Sequence, residues 1–259
     1  MSGLQFGAHL PWSQIETSLD LVLELGLIPE IAIKGPELDA LDQGLLERIA
    51  QTFAVQNLRP YVHAPFFDLN VGALDPAVRQ VSQQRLLQAL SFACRLNAAV
   101  MVVHPGVDKW RYPNLGQAWL TNAKTSFQSL TEQAASAQCR LAIENIYEET
   151  PGLLVQLVEE INSEWFGLCF DVGHWHLFGK GCIAEWFDAI APHLFHLHLH
   201  DNHGLADDHL PLGEGVIDFL PLRNRIQQMS SLPSMTLEAH TAAHLRRSVQ
   251  QVKSLFHEN

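Results

Sequence analysis

Short apolar runs alternate along this chain with longer amphipathic stretches, and the alternation never lapses. The runs fall at residues 4–10, 30–34, 60–64, 99–104, 140–145, 167–172, 194–200 and 235–239, each short enough for a buried strand. Between them, apolar residues recur at helical spacing, as at Ile15, Leu19, Val22 and Leu23, and again through 77–96, 115–137, 153–161, 183–190 and 244–256. Strand followed by helix, repeated eight times with no linker rich in Gly, Pro or Ser, predicts an α/β protein built as a single-domain (β/α)8 TIM barrel over residues 1–259. An open doubly wound sheet would need fewer strands or a visible break.

A parallel barrel gathers its chemistry at the C-terminal ends of the strands, where the βα loops meet. The polar residues of this chain fall at those ends. His9, His63, His104 and Glu144 close the first, third, fourth and fifth runs. Asp171 closes the sixth with His174 just beyond it, His198 lies near the end of the seventh, and Glu238 is in the eighth. After the seventh run, Asp207 and His209 belong to an Asp-Asp-His segment that leads into Leu210-Pro211-Leu212-Gly213-Glu214-Gly215. A single strand histidine is tolerated in a core with one or two hydrogen bonds, so none of these residues is informative alone. Together, four carboxylates in one cleft repel one another unless cations neutralise them. Nitrogen and carboxylate oxygen without thiolate suit Zn, Mn, Fe or Co, and these donors exceed what one ion can coordinate. A purely structural metal module fits poorly, since structural zinc sites are closed and rich in sulfur.

Composition narrows the partners. The chain has 14 histidines, and 28 acidic against 16 basic residues give a net charge of −12, which repels polyanions and anionic membranes on average. Residues 1–10 carry no leader pattern and no apolar run is long enough for a membrane span, so a cytoplasmic protein is expected. Cys94, Cys139, Cys169 and Cys182 form no CxxC pair and read as reduced, structural thiols.

The segments His63-Ala64-Pro65-Phe66-Phe67-Asp68-Leu69-Asn70, Val103-His104-Pro105-Gly106, Ile143-Glu144-Asn145, Phe170-Asp171-Val172-Gly173-His174, His198-Leu199-His200-Asp201, the Asp207–Gly215 stretch and Leu237-Glu238 resemble, in this order, the xylose isomerase-like TIM-barrel superfamily. Within it they are most similar to endonuclease IV, AP endonuclease family 2. That resemblance implies three zinc ions: one held by His63, His104 and Glu144, a second by Glu144, Asp171, His198 and Glu238, and a third by His174, Asp207 and His209. It also implies a hydrolase acting on a phosphate ester, with Glu144 bridging two ions and Glu238 orienting the attacking hydroxide. Sugar isomerases and epimerases of the same superfamily resemble the chain at Glu144, Asp171, His198 and Glu238, which there bind one metal, with a histidine matching His174 contacting the sugar. In that branch Glu144 and Glu238 are the acid and base. His63, His104, Asp207 and His209 favour the hydrolase, which becomes the leading expectation.

The substrate is expected to be a small phosphorylated or sugar-like molecule. Where the repair enzymes carry a basic loop after the second strand, this chain has Lys34-Gly35-Pro36-Glu37-Leu38-Asp39, so tracking of nucleic acid phosphates is unsupported. Phe66 could line a sugar pocket, and Lys109 and Arg111, in the basic and aromatic segment Lys109-Trp110-Arg111-Tyr112, are candidates for holding a phosphate. Alternation places His196, His198 and His200 on one side of the seventh strand, with His196 deepest and His200 at the outer rim as a substrate contact.

Overall fold

In the computed structural model the described residues are 4–257; residues 1–3 and 258–259 of the expected 1–259 domain lie outside them. Eight parallel strands close into a barrel in chain order: β1 (Phe6–Pro11), β2 (Ile28–Ala32), β3 (Tyr61–His63), β4 (Val100–Val103), β5 (Arg140–Glu144), β6 (Phe166–Asp171), β7 (Leu194–Leu199) and β8 (Ser234–Leu237). Pairing of Phe6 with Met235 and of Gly7 with Thr236 joins β8 back to β1. The helices are α1 (Ile15–Glu24), α2 (Gly35–Asp39), α3 (Gln43–Val55), α4 (Pro76–Arg95), α5 (Gly116–Ser136), α6 (Gly152–Ile161), α7 (Val172–Phe178), α8 (Ile183–Ile190), α9 (Leu220–Gln227) and α10 (Ala242–His257).

Each expected strand is present, with one shift that matters. The second begins at Ile28 rather than Glu30, with Pro29 inside it although proline normally interrupts a strand, and Glu30 lies mid-strand opposite His9. The acidic segment after this strand is the short helix α2, whose Asp39 is held by Arg85 at 2.5 and 2.8 Å.

The main apolar core lies between the strands and the helices. Helix α8 buries Ile183, Trp186, Phe187 and Ile190, one face at helical spacing, and each side chain contributes about 1.5–3 kcal/mol. Asp42 and Asp75 cap α3 and α4 by accepting from the Leu45 and Ala77 amides. A second, smaller cluster of Tyr61, Val100, Val102, Ala142 and Cys169 fills the deep end of the barrel. Strand alternation then sends the next inward residues, His63, Glu144, Asp171, His198 and Glu238, toward the C-terminal mouth. The core is sealed by packing, and the mouth is left to polar groups. Cys139 and Cys169 are buried free thiols, whereas Cys94 and Cys182 are exposed. Among the described residues no helix is long and apolar enough to cross a membrane.

Candidate functional site

Glu144, at the end of β5, is the centre of the site and is almost wholly buried. Its Oε2 lies 3.2 Å from His63 Nε2 and 3.1 Å from His104 Nε2. Its Oε1 lies 3.2 Å from both His174 Nδ1 and His198 Nδ1. His198 Nδ1 is also 3.6 Å from Asp171 Oδ2 and 3.5 Å from Glu238 Oε1. On the far side, Asp207 Oδ2 lies 3.4 Å from His174 Nε2 and 2.9 Å from His209 Nε2, and His209 Nδ1 is 3.5 Å from Glu238 Oε2. The fold thus brings His63, His104, Glu144, Asp171, His174, His198, Asp207, His209 and Glu238 into one continuous cluster.

Local structure fixes these groups. Asp171 ends β6 and caps α7 by accepting from the His174 amide at 2.6 Å, which sets His174 over the site. Asn145 ties β5 to β6, donating to the Asp171 carbonyl and accepting from the Asp171 amide. Asp201 is fully buried and accepts the amides of Asn202, Gly213, Gly215 and Ile217, which folds the loop carrying Asp207 and His209 back over the mouth. No side chain fits at Gly215, whose Cβ would collide with Asp201 and the Asn202 carbonyl.

Burial alone would raise the acids, but His198 and His104 hold Glu144 well below the usual carboxylate range, and His174 and His200 do the same for Asp171. Burial opposes charge on His200, yet Asp171 raises it to about 9. His9, which lines the mouth, is driven by burial down to about 4.

The donor set fits metal. Three groups of donors at the mouth lie close enough to share an ion: His63, His104 and Glu144; Glu144, Asp171 and His198; and His200, His209 and Glu238. Glu144 belongs to two of them, the geometry a bridging ligand needs. Among the described residues, His198 Nδ1 and His200 Nδ1 are buried without a hydrogen-bond partner, which is costly unless a cation takes the lone pair.

Two expectations about the rim need correction. His200 is fully buried, its Nε2 3.1 Å from both oxygens of Asp171, because the loop held by Asp201 closes over it. Lys109 does not line the cavity and is paired with Glu149, which also holds Lys180 at 2.6 Å. Arg111 does line it, but its Nε is 3.1 Å from Asp108 Oδ2. Phe66 lines the mouth and stacks on His104 with ring centres 4.3 Å apart. Sequence reasoning did not single out Glu30, which accepts from His198 Nε2 at 3.0 Å beneath the cluster; the signal available was a lone carboxylate within the apolar run Ile28-Pro29-Glu30-Ile31-Ala32. The cavity over the site measures about 720 Å³, and its lining adds Phe66, Phe67, Leu74, Val78 and Tyr147, with the acids Asp68, Asp75 and Asp108, to the imidazoles and carboxylates of the cluster.

The family model for the xylose isomerase-like TIM barrel matches residues 24–255. Two proteins of Methanocaldococcus jannaschii are similar: MJ1311, 31% identical over 175 residues that span 65% of this chain and 60% of the relative, and MJ1614, 24% identical over 93% of both. Among solved structures, the TTHB071 protein of Thermus thermophilus, soaked with ZnCl2, superposes with a TM-score of 0.85 at 27% identity over 99% of each chain. A D-tagatose 3-epimerase-like protein gives 0.85 at 25% identity over 98% of this chain and 97% of that one. The chain belongs to the xylose isomerase-like TIM-barrel family.

Proposed function

We propose that this protein is a metal-dependent sugar isomerase or epimerase in which Glu144 and Glu238 exchange a proton with a carbon beside a carbonyl. The observation that carries the reading is two carboxylates, from β5 and β8, lining one cavity whose lining guanidinium, Arg111, is already paired with Asp108. A neutral sugar needs no free cation, whereas a phosphorylated one would be served by it. The likeness to a D-tagatose 3-epimerase-like protein supports the sugar branch over the hydrolase that the ligand count alone favoured.

Glu144, Asp171, His198 and Glu238 would hold one divalent ion, with Zn, Mn, Fe or Co suited to these donors. Such an ion supplies a Lewis acid that polarises the substrate carbonyl or hydroxyl oxygen. One of the two glutamates takes the proton from carbon as a carboxylate. The other, in its acid form, returns a proton to the opposite face for epimerisation, or to the neighbouring carbon for isomerisation. His174, reaching the mouth between Glu144 and Asp207, contacts a sugar hydroxyl. Phe66, Phe67 and Tyr147 exclude water and pack on the apolar face of the ring.

A second reading, hydrolysis of a phosphate ester at a three-zinc site, is favoured by the additional donor groups around His63 and His104 and around His209. The test is a parallel assay of ketoses in deuterated water, a small phosphodiester and an abasic duplex, each with added Mn, Co or Zn. Deuterium entering the ketose beside its carbonyl, and lost in Glu238→Gln, supports the isomerase. Phosphate ester cleavage without ketose turnover would replace it with the hydrolase.

A further inference from the structure

Below the metal-binding cluster lies a second polar layer, Glu30, His196 and Thr236, that the proposed chemistry does not use. All three are fully buried in the barrel interior, as is His198, the ligand that they adjoin. The two oxygens of Glu30 are engaged differently. Oε1 faces His198 Nε2 alone, at 3.0 Å, while Oε2 faces His196 Nε2 at 2.8 Å and accepts from Thr236 Oγ1 at 2.5 Å. His196 is braced in turn by Ser234 Oγ, 2.6 Å from its Nδ1, and by the edge of the Tyr61 ring.

A carboxylate can only accept, so Nε2 of His198 carries a hydrogen toward Glu30, and Nδ1, on the other edge of the ring, is the atom left to face the ligand cluster, with its lone pair available once a metal ion displaces any proton there. Nδ1 meets Glu144 Oε1, Asp171 Oδ2 and Glu238 Oε1 at 3.2, 3.6 and 3.5 Å and has no hydrogen-bond partner. We infer that Glu30 is a positioning residue: it selects the Nε2–H tautomer of His198 and locks the ring so that Nδ1 is presented to a metal ion. This rests on the metal reading given above and assigns a task to a residue outside the ligand set. Imidazole ligands depend on such partners for ring orientation and basicity.

The asymmetry of the two oxygens makes Glu30→Gln a directed perturbation. The amide oxygen stays with the pair of donors, His196 and Thr236, which turns the amide NH2 toward His198 Nε2. That arrangement is satisfied only if Nε2 accepts, so the proton moves to Nδ1 and closes the ligand position. Metal affinity should fall by about 10- to 100-fold. Glu30→Asp, which keeps two accepting oxygens on a shorter stem, should retain part of it, and Ser234→Ala, acting beyond His196, should bind close to wild type.

Nitrogen-15 NMR of histidine-labelled, chelator-treated wild-type protein reads the tautomer directly, and calorimetric titration with Zn2+ and the visible spectrum of added Co2+ read the site. The expected result is Nε2–H at His198 in the wild type, Nδ1–H in Glu30→Gln, and weaker binding with an altered Co2+ spectrum in the variant. If Glu30→Gln does not fold, the wild type decides, and a His198 ring without a hydrogen on Nε2 overturns the inference. Equal affinity in wild type and folded Glu30→Gln also overturns it and leaves the metal reading intact. A wild type that takes up neither ion overturns the metal reading itself.

Discussion

Asp201→Asn tests how the mouth of the barrel is assembled. The carboxylate spans a 17-residue stretch of loop: Oδ1 accepts from the Asn202 and Ile217 amides at 2.9 and 3.1 Å, and Oδ2 from Gly213 and Gly215, both at 2.9 Å. Each oxygen takes two N–H groups, so whichever way an asparagine amide turns, its NH2 confronts two donors. Two hydrogen bonds to a charged acceptor are lost, at about 1.5–3 kcal/mol each, or about 3–6 kcal/mol together. That is comparable with the whole stability of a domain, about 5–15 kcal/mol, so the loop should open locally before the barrel unfolds. At 1.4 kcal/mol per tenfold change, hydrogen exchange at the Gly213, Gly215 and Ile217 amides should accelerate by roughly two to four decades, while strand amides such as Met101 change far less. The same opening releases Asp207 and His209, while the ion held by Glu144, Asp171, His198 and Glu238, whose positions are set by the strands, should stay bound. Unchanged protection at all three amides, in a variant of normal stability, would refute the argument that Asp201 holds the loop.

Glu144→Gln should weaken the ion it would hold with Asp171, His198 and Glu238 and abolish turnover, because its Oε1 lies 3.2 Å from His198 Nδ1; elemental analysis showing wild-type metal content would contradict that role. Chelation should lower the melting temperature and Zn or Mn should restore it, with about 2.7 kcal/mol gained at a hundredfold excess over Kd; an unchanged melting curve would count against a resident metal. Burial raises Glu148 to about 7 from an ordinary 4.5, so in metal-free protein its protonated form stabilises the fold fully below pH 4.5, and that contribution is lost as pH rises through 7. Relative to Glu148→Gln, wild-type stability should decline by about 3 kcal/mol across that window, and parallel urea midpoints for the two proteins would exclude it.

The barrel was legible because strand and helix impose different periods, and burial enforces both. The ligand cluster was legible for a related reason: inward alternation carries each strand's last polar residue to the same end. What alternation cannot give is depth. His200 follows the same pattern as His198, yet whether it reaches solvent depends on a loop that Asp201 folds over it, through contacts 12 to 16 residues away in the chain. Glu30 escaped because Pro29 hides the start of β2, and because its partners lie more than 160 residues distant, with His196 and His198 at separations of 166 and 168.

The choice of substrate lies at a further remove from the sequence pattern. Ligand count is a property of strand ends, and by that measure the chain reads as a three-zinc phosphoesterase. Recognition is a property of the loops, where charge is balanced locally. Lys109 and Arg111, on either side of Trp110 in the sequence, looked like a phosphate grip; Glu149, 40 residues beyond Lys109, pairs with the first, and Asp108 touches the second. What joins the cluster in the lining is a set of aromatic and aliphatic side chains, Phe66, Phe67, Leu74, Val78 and Tyr147, with the acids Asp68, Asp75 and Asp108, and Arg111, largely exposed and touching Asp108 through its Nε. Such a lining favours a neutral ring with an apolar face over a bare phosphate, so the loops argue for sugar chemistry on a scaffold whose strand ends retain the wider ligand set.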